Sequence, residues 1–134
     1  MPRFMLFIYP GISHEKYAAG PSADDLPEFE AMNRYNEELS KAGALLAGDG
    51  LQAEATIVRR GGVTDGPFVE AKELVGGYWI IQAKDREEAV AWASRCPLGP
   101  EDFIEVRQMV EIADLSDEIQ AALTVEPGPE QTSA

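Results

Sequence analysis

Glu105 and Arg107 stand two residues apart in the run EDFIEVRQMV, residues 101–110. If that run is a strand, a carboxylate and a guanidinium at this spacing project from one side. Their alternate neighbours, Phe103 and Met109, are apolar. A covered ion costs several kcal/mol unless it is paired, so Glu105 and Arg107 either neutralise each other or meet a ligand. A second concentration of chemistry lies between Val63 and Gln82, VTDGPFVEAKELVGGYWIIQ. Pro67 stiffens the turn Asp65-Gly66-Pro67-Phe68, and a carboxylate held on such a turn can reach a substrate proton. The plainer use of Asp65 is to accept a hydrogen bond from its own backbone. Lys72 can fix an anion, and Glu70 or Glu73 can serve as acid or base. The alternative for these three is an exposed corner whose opposite charges pair. Tyr9 and Trp79 supply rings that pack at an interface or stack on a ligand. The candidate catalytic residues are therefore Asp65, Glu73 and Glu105, and the candidate substrate-binding residues are Tyr9, Lys72, Trp79 and Arg107.

Other reactive side chains are few. His14, between Ser13 and Glu15, lies in a Gly/Pro/Ser-rich stretch and reads as a solvated loop histidine. Cys96 has Arg95 as its only basic neighbour in sequence and reads as an inert thiol. One cysteine and one histidine leave no disulfide framework and no His/Cys metal cluster, so neither a metal nor a cofactor is expected.

Composition restricts the partners. The chain has 134 residues, 45% of them apolar, which is one domain's length with enough material for a core. Its formal charge of −13, from 24 acidic and 11 basic residues, opposes binding to nucleic acid or to anionic lipid. No apolar run approaches the length of a membrane span, and the start MPRFMLFIYPGIS lacks the form of a signal peptide, so the expected location is cytoplasmic.

The elements that must position these residues follow from apolar spacing. Arg3 to Tyr9 predicts a strand with Phe4, Leu6 and Ile8 on one face and Met5, Phe7 and Tyr9 on the other. Gly11 to Asp25 reads as loop. A helix begins at Asp24 or Asp25, accepts Pro27 in its first turn, and buries Phe29, Met32, Tyr35 and Leu39 before Lys41 and Gly43 end it. Ala44 to Leu51 predicts a short strand broken at Gly48-Asp49-Gly50. Thr56 to Arg59 and Val63 to Thr64 flank Gly61-Gly62 as a hairpin. Leu74 to Ala83 is the longest strand, and its glycine pair invites a bulge or close backbone approach. Asp85 with Glu88 forms a capping box for a second helix that buries Ala89, Trp92 and Ala93. After the strand at 101–110, a helical turn starts at Ser116, and Val125 to Ala134 reads as a flexible tail. The division is a domain over 1–113 and an appendage over 114–134.

This order is that of an α+β, ferredoxin-like plait, an antiparallel sheet with two helices on one face. The reading places Met5, Phe7, Tyr9, Trp79 and Ile81 on the other face, too apolar for water. A homodimer with facing sheets is expected to cover them.

Several linked motifs carry a resemblance: Gly48-Asp49-Gly50-Leu51, Val63-Thr64-Asp65-Gly66-Pro67-Phe68, Glu70-Ala71-Lys72-Glu73, Gly76-Gly77, Trp92-Ala93-Ser94-Arg95-Cys96-Pro97 and Val106-Arg107. Together, over roughly Phe4 to Ile112, they resemble the YCII-related family, in its branch named for the DGPF tetrapeptide. The resemblance implies a dimeric α+β barrel of ferredoxin-like subunits. It also implies isomerase- or lyase-type chemistry in some relatives and, for DGPF members, an association with extracytoplasmic-function sigma factors. Enzymes of the broad family are thought to use a His/Asp pair in the cleft, and here the histidine is His14, outside the matching motifs. Two functions follow as expectations. One is a cofactor-independent enzyme performing proton transfer on a small anionic or aromatic molecule in a dimer cleft. The other is a non-catalytic ligand-binding or regulatory module.

Overall fold

The apolar run at the amino terminus forms strand β1 (Arg3–Tyr9), and the rest of the fold is assembled on its two edges. In the computed structural model, which describes residues 1–65 and 74–123, β1 pairs antiparallel with β5 (Gly77–Gln82) and with β6 (Phe103–Gln108). Strand β2 (Leu45–Gly50) pairs with the outer edge of β5, giving a four-stranded antiparallel sheet in the order β2-β5-β1-β6. Helices α2 (Leu26–Lys41) and α3 (Arg86–Ser94) contribute the helical half of the core, and the whole is a ferredoxin-like α+β plait. A separate hairpin, β3 (Thr56–Arg59) and β4 (Gly62–Asp65), forms its own two-stranded sheet. The turn residues Gly66, Pro67 and Phe68, the corner that holds Glu70, Lys72 and Glu73, and the tail from residue 124 lie outside the described residues, and Asp65 is described in its backbone alone.

Local chemistry accounts for the helix boundaries. Pro27 occupies the second position of α2, where a missing N–H removes no intrahelical bond. At α3, Asp85 accepts from the Glu88 N–H at 2.8 Å, and the Glu88 carboxylate reaches back to the Lys84 N–H at 3.2 Å. This is a capping box displaced by one residue at its returning bond. Ser116 caps the six-residue helix α4 (Asp117–Ala122) through the Ile119 N–H.

The core sits between the sheet and these helices. Phe4, Leu6, Leu39 and Ile81 are fully buried, joined by Tyr35, Trp79, Ala89, Ala93 and Cys96. The polar ends of its aromatics are satisfied, as burial requires. The Tyr35 hydroxyl donates to the Trp92 carbonyl at 2.7 Å, and Trp79 Nε1 donates to Asn36 Oδ1 at 2.8 Å. The two rings meet edge to face with centroids 5.6 Å apart. Burial raises the Tyr35 phenol, and it pushes the Cys96 thiol up to about 12 with help from the charge of Asp102.

Five expectations are corrected. The stretch read as loop contains a helix, α1 (His14–Ala19), capped by Ser13 Oγ on the Lys16 N–H at 3.1 Å, with His14 at its first position. The signal was a serine followed by HEKYAA, but six residues are too few to reveal helical periodicity. Gly48-Asp49-Gly50 continues β2 rather than breaking it, because the Gly50 backbone is held opposite Gly77 of β5. The hairpin turns at Arg60-Gly61, one residue earlier than Gly61-Gly62, with the positive φ of 96° carried by Gly61. Phe29 is 58% exposed, so the buried stripe of α2 is reduced to Tyr35 and Leu39 with Met32 partly covered. Finally, Trp79 and Ile81 face the helices. Their pairing opposite Leu6 and Phe4 forces this, since directly opposed residues share a face.

Candidate functional site

The face of the sheet turned away from the helices is built by register. Met5 lies opposite both Ile80 and Arg107, Phe7 opposite Tyr78 and Glu105, and Tyr9 opposite Phe103. On β2, Asp49 stands opposite Tyr78 and Ala47 opposite Ile80. The result is a central apolar band, Met5, Phe7, Tyr78 and Ile80, each half-buried, flanked by the charged groups of β6 on one side and by Asp49 on the other.

Two of the sequence-derived residues touch. The Tyr9 hydroxyl donates to Glu105 Oε1 at 3.0 Å, a phenol–carboxylate pair reaching diagonally across β1 and β6. The Tyr9 ring stacks on Phe103, with centroids 4.6 Å apart and planes 12° from parallel, which fixes the phenol over the carboxylate. Arg107 follows Glu105 by two positions on the same face, about 7 Å along the strand. Both side chains are exposed. Mutual pairing of Glu105 and Arg107, one of the two alternatives the sequence left open, is not seen: the ion pairs among the described residues are Arg3–Glu111 and Arg95–Glu38. Glu105 accepts from a phenol instead.

The remaining candidates are placed elsewhere. Trp79 belongs to the covered side, 6% exposed, with its N–H committed to Asn36. Asp65 is the last residue of β4, paired in backbone register with Thr56. Lys72 and Glu73 lie outside the described residues. The structure thus brings together Tyr9, Glu105 and Arg107, and separates Trp79 from them by the thickness of the sheet.

Residues that sequence reasoning missed lie close by. Tyr78 and Asp49 extend the polar edge of the same face, and Phe103 supplies the stacking partner of Tyr9. Alternation within each strand was the available signal, but it says nothing of which face of β5 joins which face of β1. Arg3 is clamped by Glu111, its Nε and Nη2 donating at 2.8 and 3.0 Å. That bonding holds the Glu111 carboxyl below the usual carboxylate range and raises the guanidinium. It secures the segment beyond β6 beside the start of β1.

On the other side of the sheet, Tyr17 of α1 ties three segments together. Its hydroxyl contacts the Leu51 carbonyl and lies 3.0 Å from the Gly76 carbonyl, and burial raises the phenol. Gly76 is required there, since a Cβ would lie 2.6 Å from Pro10 Cγ. The closeness expected of the glycine pair is therefore real. His14 stands at the start of this helix, outside the strands that carry Tyr9 and Glu105. Among the described residues no three His, Cys, Asp or Glu side chains converge as a metal site would require, and no helix is long and apolar enough to cross a membrane.

No curated protein is a significant match to the chain. Its residues 3–113, which contain every strand described above and helices α1 to α3, match the family model described as the YCII-related domain, and the protein belongs to that family.

Proposed function

We propose that the protein is a homodimeric, cofactor-independent enzyme of the DGPF branch that moves a proton on a small organic acid or phenol, as an isomerase or lyase does. The observation that carries this reading is the Tyr9–Glu105 hydrogen bond, set beside Arg107 on a sheet face whose central band is apolar and turned away from α2 and α3. Two sheets packed face to face would hide that band and enclose the charged rim as a cleft. Glu105, once dry, is the base that takes a proton from carbon. The Tyr9 hydroxyl steadies the oxyanion left behind, and Arg107 anchors the carboxylate or phenolate of the substrate. Asp65, Lys72 and Glu73 are proposed to complete the cleft, with Asp65 or Glu73 returning the proton. Trp79 supports from behind the sheet, where its indole fixes β5 against α2. The cytoplasm is the proposed location.

A second reading, a ligand-binding or regulatory module working beside an extracytoplasmic-function sigma factor, draws on the Tyr9–Phe103 stack, which fills space that a substrate ring would need. Proton exchange separates the two. A panel of small keto acids, unsaturated lactones and phenols is incubated with the protein in D2O, and loss of C–H signals is followed by NMR. The enzyme reading expects exchange that falls about a hundredfold or more in Glu105→Gln and less in Tyr9→Phe. Exchange that is equal in wild type and Glu105→Gln rejects Glu105 as the base, and saturable binding without exchange supports the module.

A further inference from the structure

A hollow of about 770 Å³ lies away from the Tyr9–Glu105 face, between α1, the first turns of α2 and the segment 51–54 that follows β2. Its volume is within the range of small-molecule sites, roughly 300–1,000 Å³. Three large apolar side chains that a water-soluble chain gains nothing by exposing form its walls: Ile12 at 43%, Phe29 at 58% and Leu51 at 44% exposure. Phe29 is the informative one. It sits one turn before Met32 on the helix stripe whose continuation, Tyr35 and Leu39, is core, yet it opens into the hollow instead of closing on protein. The walls are also held in place independently of any occupant. Tyr17 fastens α1 to the carbonyls of Leu51 and Gly76, and Asp102 accepts from the Gly11 N–H at 2.7 Å.

We propose that this hollow binds a small aromatic amine. The apolar walls select a ring, and charge selects the amine. Among the described residues, Lys16 is the single cation lining the hollow, against the carboxylates of Asp25, Glu28, Glu54 and Asp102. Asp102 spends both oxygens on backbone N–H groups and Asp25 spends one on Ser22, but their negative charge remains. A half-enclosed apolar hollow with that balance focuses a negative potential, which attracts an ammonium group and repels a carboxylate. The occupant differs in sign from the anionic substrate proposed for the sheet face, so the two sites are separable.

The test uses the full chain and three probes with one ring and three charges: tryptamine, tryptophol and indole-3-acetate. Binding is titrated by calorimetry and mapped by backbone amide shifts. The expected result is saturable tryptamine binding at least about tenfold tighter than indole-3-acetate, with tryptophol between them. Its shifts should centre on residues 12–18, 28–32 and 51–54, and Phe29→Ala should weaken it by about tenfold or more. Replacing Glu28 and Glu54 together by glutamine should narrow the gap between tryptamine and indole-3-acetate. Because Phe29 is largely exposed, the Phe29→Ala protein should melt at the wild-type temperature, which separates loss of the site from loss of the fold. Equal binding of tryptamine and indole-3-acetate, no saturation by any probe, or tryptamine binding unchanged in Phe29→Ala would each overturn the proposal.

Discussion

The two faces of one sheet are made from the same strands, one residue out of step, and they have opposite fates. Phe4, Leu6, Trp79 and Ile81 are between 0% and 6% exposed beneath α2 and α3. Met5, Phe7, Tyr78 and Ile80, their immediate neighbours in sequence, are half-buried on the face turned away from α2 and α3. Hydrophobicity does not distinguish the sets. Cover does: the first has helices whose Tyr35, Leu39, Ala89 and Ala93 fill the space above it. The second, among the described residues, is edged by Tyr9, Phe103, Glu105, Arg107 and Asp49. An apolar band of this kind, rimmed by polar groups, is the form that an association surface takes.

Substitution on each side sharpens the contrast. Phe4→Ala removes a fully buried ring and should cost about 3–5 kcal/mol of unfolding free energy, read from urea denaturation. Phe7→Asp, on the opposite face of the same strand, should leave the monomer folded but abolish the proposed self-association, read by light scattering after gel filtration. A wild-type chain that is monomeric at every concentration tested would break the comparison, leaving the band simply wet. Tyr35→Phe keeps the core ring but removes the phenol's bond to the Trp92 carbonyl, which still accepts from the Arg95 N–H, a loss of about 0.5–1.5 kcal/mol.

The smallest effect is expected at Arg3–Glu111. The Glu111 pKa is depressed in the folded state, so its contribution is present above the ordinary carboxylate range and is lost as pH falls through the folded value. Glu111→Gln should therefore melt slightly below wild type at neutral pH and converge with it in acid.

Much of the architecture was legible in the chain. Each strand of the four-stranded sheet was found, as were α2, α3 and the Ser116 cap, because apolar spacing, Pro27, Asp85 and the Gly/Pro punctuation are local signals. The plait followed from their order. Of the candidate site, Tyr9, Glu105 and Arg107 were singled out by type and spacing, but the phenol's hydrogen bond to the carboxylate was not read from the chain. Trp79 was assigned to the wrong face because alternation fixes faces within a strand while pairing register fixes them between strands.

What the sequence determined by itself was the set of elements, since φ/ψ preference and apolar period act over a few residues. What the tertiary structure decided was which apolar residues are core. Trp79 is core because Leu6 stands opposite it and Asn36 takes its N–H; Phe29, on the same helix as Asn36, is not, because it lines a hollow and stays 58% exposed. Burial belongs to pairs of distant segments, and no single stretch of chain carries that information.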